Sequence, residues 1–132
     1  MVASVVYLDS SALVKLILPE AESASMLTFV ADHPRQVTSV IARVEVPRAI
    51  LKLGGSLGHR VEDVLANVGT VALNDEVTNR AAILMPSALR SLDAIHLASA
   101  MEFGSDLEVI VTYDRRMIDA AHALGLPVVS PT

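Results

Sequence analysis

Four acidic residues are spaced along the chain so that an α/β fold would bring them together. Asp9 and Asp114 directly follow short apolar, β-branched runs, whereas Glu45 and Asp93 lie in segments with helical patterns. Two carboxylates about 4 Å apart repel each other by roughly 4 kcal/mol at an effective dielectric near 20, so a cluster of them requires protons or a cation. Oxygen ligands alone favour Mg²⁺ or Mn²⁺, and such a site suits the hydrolysis of a phosphodiester.

The segments that must position these acids alternate between strand and helix. Apolar β-branched runs predict strands at residues 5–8, 36–40, 70–73, 107–112 and 127–129. Helical patterns predict helices at residues 10–16, 20–31, 41–53, 57–68, 75–84, 92–103 and 115–124, with Ser10 and Ser91 as expected caps. Because helices separate the strands, we expect right-handed crossovers and an α/β fold with a mostly parallel sheet of about five strands. We expect a single domain over residues 1–132.

All four acids are expected at one edge of this sheet. Ligands of open parallel sheets bind beyond the carboxyl ends of the strands, where the strand order reverses. Asp9 and Asp114 each follow a strand, and the helices that carry Glu45 and Asp93 begin at the same edge. Pro47 fits this scheme poorly, because it removes a backbone hydrogen bond and is expected to kink or restart its helix, which affects the reach of Glu45.

Each acid also has a purely structural explanation. Asp9 and Asp114 could cap the helices that follow them. Glu45 could pair with Arg48 or Lys52 at helical spacing, and Asp93 could interact favourably with the N-terminal end of its helix dipole. Their joint placement at one sheet edge favours the metal site over four separate structural roles.

The composition limits the class of protein. The chain has no cysteine, which excludes disulfides and thiolate metal sites. No apolar run approaches the ~20 residues of a spanning helix, and no basic stretch precedes the apolar start, so we expect a soluble, cytoplasmic protein without membrane contact. The net charge of −5 argues mildly against a nucleic-acid partner, although metal-bound acids would not count toward the surface charge.

The apolar content is high for a soluble chain, at 52% of residues with a mean hydropathy of +0.51. Part of this apolar surface is therefore expected to be buried against a partner or a second copy of the chain. Met85, Leu89 and the stretch at residues 13–17 are candidates for such a face, and core packing explains them equally well.

Four segments resemble those of PIN-domain ribonucleases, and in particular the VapC toxins of bacterial type II toxin–antitoxin pairs. They are Leu-Asp-Ser-Ser-Ala-Leu-Val-Lys at residues 8–15, Arg-Val-Glu-Val at 43–46, Leu-Arg-Ser-Leu-Asp-Ala-Ile-His-Leu-Ala at 89–98 and Val-Thr-Tyr-Asp-Arg-Arg at 111–116. The resemblance spans nearly the whole chain and keeps the order and spacing of the motifs. Asp-Ser-Ser-Ala alone is a weak signal, whereas the four segments together are fairly specific.

The resemblance implies a PIN-like, Rossmann-like α/β/α sandwich and endonucleolytic cleavage of RNA that depends on Mg²⁺ or Mn²⁺. It also implies a homodimer and a cognate antitoxin protein that covers the active site. Carried over by position, Asp9 and Asp93 would be the principal metal ligands, with Glu45 and Asp114 completing the catalytic acidic site. Thr112 matches a position where the family commonly has a hydroxyl near the metal.

Several other residues have two open explanations. Arg48 and Lys52 share a helical face with Glu45 and could hold an RNA backbone or form a solvated surface. Arg115 could touch substrate or a partner, or be an ordinary surface charge on its helix. His96, one turn after Asp93, could assist proton transfer or simply pack in the interior.

Other functions on similar folds fit the motifs less well. A phosphoacceptor receiver module needs two adjacent acids after the first strand and a lysine after the last, and this chain has neither. A haloacid-dehalogenase-like phosphatase needs Asp-x-Asp after the first strand, but Asp9 is followed by two serines. A catalytically silent binding module would retain the acids without cleaving RNA.

Overall fold

The computed structural model describes residues 4–132 and arranges them as a five-stranded sheet between two layers of helices. The strands are β1 (Val5–Leu8), β2 (Gln36–Ser39), β3 (Gly69–Val71), β4 (Leu107–Val111) and β5 (Val128–Val129). The helices are α1 (Ser10–Lys15), α2 (Ser23–Asp32), α3 (Ala42–Lys52), α4 (His59–Ala66), α5 (Asp75–Ala82), α6 (Ser91–Met101) and α7 (Arg115–Ala123). Within residues 4–132, no helix combines the length and the hydropathy needed to cross a bilayer.

The strand order is β3-β2-β1-β4-β5, and every neighbouring pair is parallel. The chain moves outward from β1 through β2 to β3, then returns to the other side of β1 to form β4. The strand order therefore reverses between β1 and β4, which is where ligands bind in sheets of this kind. The expectation of a mostly parallel sheet of about five strands is confirmed.

The side chains of the two central strands alternate between two cores. In β1, Val6 and Leu8 pack in a core with the first four helices, whereas Tyr7 packs in a core with α6 and α7. In β4, Val111 joins the first core and Ile110 the second. Because side chains along a strand alternate between faces, the polar residues that directly follow β1 and β4 continue the α6–α7 side of the sheet.

Two helices lack the serine caps that the sequence predicts. Asp9, not Ser10, is the N-cap of α1, and its carboxylate accepts a hydrogen bond from the Ala12 backbone N–H. Ser10 is left free to use its hydroxyl elsewhere. The N-cap of α6 is Arg90, without a side-chain capping bond, and Ser91 is the first helical residue. The expectation of serine caps at both helices is therefore wrong.

The helix that contains Pro47 does not restart there. Helix α3 continues from Ala42 to Lys52, and Pro47 is its sixth residue. Proline removes one backbone hydrogen bond and costs roughly 3 kcal/mol in a helix interior. Val46 and Ile50, on either side of it, are completely buried, so their packing against the core offsets this cost and keeps the helix whole.

Candidate active site

Asp9 lies where the strand order reverses, directly after β1, and is only 4% exposed. Its Oδ1 accepts hydrogen bonds from Ser11 Oγ at 2.6 Å and from the Ala12 backbone N–H at 3.0 Å. Its Oδ2 accepts a hydrogen bond from Thr112 Oγ1 at 2.5 Å. Burial raises the pKa of the Asp9 carboxyl above its ordinary value, and the nearby His96 and these hydrogen bonds offset only part of that rise.

Two hydroxyls tie Asp9 to the segment that follows β4. Thr112 Oγ1 donates to Asp9 and accepts from the backbone N–H of Asp114 at 3.1 Å. Ser11 Oγ likewise donates to Asp9 and accepts from the backbone N–H of Tyr113 at 2.9 Å. Both hydroxyls therefore use donor and acceptor together, which fixes the Asp9 carboxylate against the ends of both central strands.

Glu45 reaches the same region from the first turn of α3. Its Oε1 accepts a hydrogen bond from Ser10 Oγ at 2.7 Å and lies 2.7 Å from His96 Nε2. Burial alone would raise the pKa of Glu45, but the hydrogen bond and the charge of His96 outweigh it, so the pKa is lowered. Glu45 is therefore an ionised carboxylate at neutral pH.

Asp93 lies in the first turn of α6 with its side chain 15% exposed. Its Oδ2 is buried and has no hydrogen-bond partner among residues 4–132, and the Nε atom of Arg90 lies 3.7 Å away. Burial raises the pKa of Asp93, and the negative charges of Asp114 and Asp9 raise it further, against the opposing effect of Arg90. The charges of Asp114 and Asp9 thus act directly on Asp93.

Asp114 is the N-cap of α7, where its Oδ1 accepts a hydrogen bond from the Arg116 backbone N–H at 2.8 Å. Asp9 and Asp114 are thus both helix caps, as the structural explanation of each suggested. Capping does not exclude a second role, because each carboxylate oxygen has two lone pairs. Asp114 Oδ1 keeps one of them after its capping bond, and Asp9 keeps one on Oδ2, which accepts only the bond from Thr112.

The donor set is suited to a hard divalent ion. In the described part of the chain, no three acidic or histidine side chains are already arranged around a single point as metal ligands. Mg²⁺ does not require such a cage, because it commonly keeps several waters and binds through one or two carboxylates. The unpartnered Oδ2 of Asp93 is the kind of buried oxygen that an ion or an ordered water satisfies.

The basic candidates lie on the surface. Arg48 is exposed on α3, where it lines a shallow depression with Leu51 and Lys52. Arg115 is exposed at the first position of α7, directly after Asp114. Within residues 4–132, neither arginine forms an ion pair. Both side chains are therefore free to meet a phosphate, and their role in substrate binding stays a prediction.

Comparison with known proteins decides the family. The family model for the PIN domain matches residues 6–123. The chain belongs to the PIN-domain family. Ribonuclease VapC46 of Mycobacterium tuberculosis is 42% identical over 127 residues, which cover 96% of this chain and 98% of that protein. Ribonuclease VapC35 of the same species is also 42% identical, over 130 residues that cover 96% of each chain.

Solved structures agree on the PIN-domain fold. VapC20 of Mycobacterium tuberculosis, described as a toxin that cleaves the sarcin–ricin loop, superposes with a TM-score of 0.73 at 16% identity and covers 96% of this chain and 99% of its own. A toxin–antitoxin complex from Klebsiella pneumoniae gives a TM-score of 0.70 at 23% identity, with 96% and 98% covered. The resemblance to VapC-like PIN-domain ribonucleases is confirmed, which leaves the receiver-like alternative without support.

Four polar side chains at this PIN-domain site were missing from the predicted site residues: Tyr7, Ser10, Ser11 and His96. Both serines directly follow Asp9, and their pattern also fits a helix cap, which concealed their contacts with carboxylates. Tyr7 precedes Asp9 by two residues and so shares its face of β1, and this period-two spacing was the available signal. His96 was noticed one turn after Asp93, but its partners come from distant segments.

Proposed function

We propose that this PIN-domain chain is an endoribonuclease that hydrolyses RNA phosphodiester bonds with the help of Mg²⁺ or Mn²⁺. We further propose that it acts in the cytoplasm as the toxin of a type II toxin–antitoxin pair. The observation that carries the metal-dependent activity is the buried Oδ2 of Asp93, which has no hydrogen-bond partner in the described chain. Burial and the charges of Asp114 and Asp9 raise the pKa of the Asp93 carboxyl. The ribonuclease relatives at 42% identity support the same substrate class.

In this proposal the chain's own residues hold the metal and the substrate in place. Asp9 and Asp93 are the principal ligands, and Glu45 and Asp114 complete the acidic site. When bound, the ion supplies Lewis-acid chemistry that activates a water and stabilises the leaving oxygen of the phosphodiester. Hydrogen bonds from Ser11 and Thr112 keep the Asp9 carboxylate in a fixed orientation, which limits the reorganisation needed when the ion binds.

Substrate binding is assigned to the exposed arginines. Arg115 follows Asp114 at the sheet edge, and Arg48 lies one turn along α3 from Glu45, so both flank the acidic site. Arginine binds phosphate oxygens in a fork-like geometry and would place the RNA backbone over the carboxylates. Their positive charge also compensates locally for the net charge of −5.

The activity is tested by comparing Asp9→Asn and Asp93→Asn with Asp119→Asn, which changes an exposed carboxylate on α7. We expect Mn²⁺-dependent cleavage of a labelled RNA to fall by more than about 100-fold in the first two variants. Removing a residue that only hydrogen-bonds to a metal ligand already costs about 10- to 100-fold, and removing the ligand itself should cost more. The Asp119 variant should cleave like the wild type, and EDTA should abolish cleavage in all. Full activity in both site variants, with circular dichroism unchanged, would refute the proposal.

The proposed partners are a second copy of the chain and an antitoxin protein. Ile83 is 80% exposed and Met85 is 62% exposed, beside a cavity of about 440 Å³ that Leu73 and Leu89 also line. An apolar surface of this kind supports burial against another protein. Leu13 and Leu16 are buried in the core, so the packing explanation holds for them. Light scattering tests the homodimer, and a mass of 14.0 kDa would exclude it.

A further inference from the structure

A buried chain of hydrogen bonds connects the middle of β1 to the acidic site. Tyr7 and His96 are 0% and 3% exposed, and Tyr7 Oη lies 2.7 Å from His96 Nδ1. On the other side of the ring, His96 Nε2 lies 2.7 Å from Glu45 Oε1. We call this chain of contacts the Tyr7–His96–Glu45 relay. It joins three elements, β1, α6 and α3, through side chains alone.

The chemistry of Glu45 fixes one hydrogen of the relay. Carboxylate oxygens only accept, so the 2.7 Å contact between His96 Nε2 and Glu45 Oε1 is a hydrogen bond in which Nε2 donates. On the opposite side of the ring, Nδ1 is hydrogen-bonded to the buried Tyr7 hydroxyl. The Tyr7 contact therefore fixes the rotation of the ring that aims Nε2 at Oε1.

The same contacts fix which oxygen of Glu45 is engaged. Oε1 accepts from both His96 Nε2 and Ser10 Oγ, each at 2.7 Å. Within residues 4–132, Oε2 accepts no hydrogen bond. Glu45 is thus held at one oxygen while the other remains available to a ligand. Partners that orient a ligating carboxylate in this way typically change metal affinity or activity by about 10- to 100-fold when they are removed.

We propose that Tyr7 and His96 are positioning residues for Glu45: the Tyr7 hydroxyl fixes the orientation of the His96 ring, and the Nε2–H of that ring holds Oε1 so that Oε2 is presented to the metal. The metal part of this inference rests on the proposed function, whereas the hydrogen bond from Nε2 to Glu45 does not. Neither residue touches RNA or the reacting atoms in this scheme. Both act through Glu45.

The hydrogen bond from His96 to Glu45 is tested on the metal-free, full-length wild type by long-range ¹H–¹⁵N correlation spectra of its histidine rings. The chain has four histidines, and the His96 signals are assigned by their disappearance in His96→Gln. We expect hydrogen on Nε2 of His96 at neutral pH. A lone pair on Nε2 would overturn the proposed contact even if the chain proved to bind no metal.

The positioning role is tested with two amides that reproduce different nitrogens of the ring. The amide of His96→Gln can reach the place of Nε2, whereas that of His96→Asn reaches only the place of Nδ1. By calorimetry, we expect the Mn²⁺ dissociation constant to rise about 10-fold in His96→Asn and to stay close to that of the wild type in His96→Gln. Equal dissociation constants in the two variants would overturn the role, because a merely structural histidine would not distinguish them.

A second pair of variants keeps the test decisive if either amide fails to fold. Tyr7→Phe removes one oxygen from the relay, and Tyr113→Phe removes one from the other tyrosine, whose hydroxyl bonds the Pro131 carbonyl instead. We expect weaker Mn²⁺ binding in Tyr7→Phe and unchanged binding in Tyr113→Phe. Equal binding in these two variants would overturn the proposal. If the wild type itself does not bind Mn²⁺, that result would instead count against the proposed function.

Discussion

Replacing Asp93 by Asn should stabilise the metal-free protein while removing its response to metal. The buried Oδ2 of Asp93 has no hydrogen-bond partner in the described chain, which costs about 1–3 kcal/mol for a buried polar atom. The ion pair with Arg90, whose side chain is 63% exposed, offsets at most about 1 kcal/mol. Asparagine leaves a polar atom at this position but removes its charge, and with it the extra cost of burying a charged group and the repulsion from Asp114 and Asp9. We therefore expect the free energy of unfolding to rise by about 1 kcal/mol, which raises Tm by roughly 4 °C in a domain of this size.

The assay is thermal unfolding of both proteins at pH 7, first in EDTA and then with excess Mn²⁺. In EDTA the Asp93→Asn variant should melt above the wild type. Mn²⁺ at 100 times its dissociation constant should stabilise the wild type by about 2.7 kcal/mol and the variant hardly at all. The order of the two melting temperatures should therefore reverse when metal is added.

Asp119→Asn is the matched control, since it removes an exposed carboxylate from the same chain. It should leave Tm in EDTA nearly unchanged and keep the full response to Mn²⁺. Two results would refute the reasoning: an Asp93→Asn protein that is less stable than the wild type in EDTA, or one that gains as much stability from Mn²⁺ as the wild type does.

Two further predictions concern the groups around Asp9. Thr112→Val removes the hydroxyl that binds Asp9 Oδ2 and should lower the free energy of unfolding by about 1–3 kcal/mol in urea melts. Thr38→Val changes a buried hydroxyl without a hydrogen-bond partner in the described chain and should lower it far less. Equal losses in the two variants would contradict the role of the Thr112 contact. In EDTA, the free energy of unfolding should fall as the pH rises from about 4 through the raised pKa values of Asp9 and Asp93. The reason is that the folded state binds these two protons more tightly than the unfolded state. A flat profile of Tm against pH would contradict this prediction.

The sequence predicted the sheet well because the strand signals are local. Apolar β-branched runs mark β1 and β4, and the acids that directly follow them fall at the sheet edge in any parallel arrangement. Helix starts were less predictable. The helical pattern placed Glu20 and Glu22 in the second helix, but both precede α2 and form ion pairs with Lys15. The pattern within residues 20–31 could not predict these ion pairs, because Lys15 lies outside that segment.

The site was predictable only in part, for the same reason. The placement of Asp9 at a strand end follows from residues next to it, but its hydrogen bond from Thr112 spans 103 positions. The contact between Tyr7 and His96 spans 89 positions, and no periodicity in either segment specifies the other. At Pro47 the local sequence predicted a break in the helix that the structure does not have. Proline is unfavourable inside a helix, but burial of its neighbours Val46 and Ile50 outweighs that preference.

The distance in sequence between Asp9 and Thr112 also has a consequence for the timing of synthesis. Asp9 leaves the ribosome before the other acids of the site, and the hydroxyl that holds its carboxylate is made 103 residues later. The central pairing of β1 with β4 must wait for the same late segment. A nascent chain therefore carries these carboxylates unassembled while most of the domain is made. The ribosome that makes it is not exposed to a finished nuclease site until the segment with β4 and Thr112 has emerged.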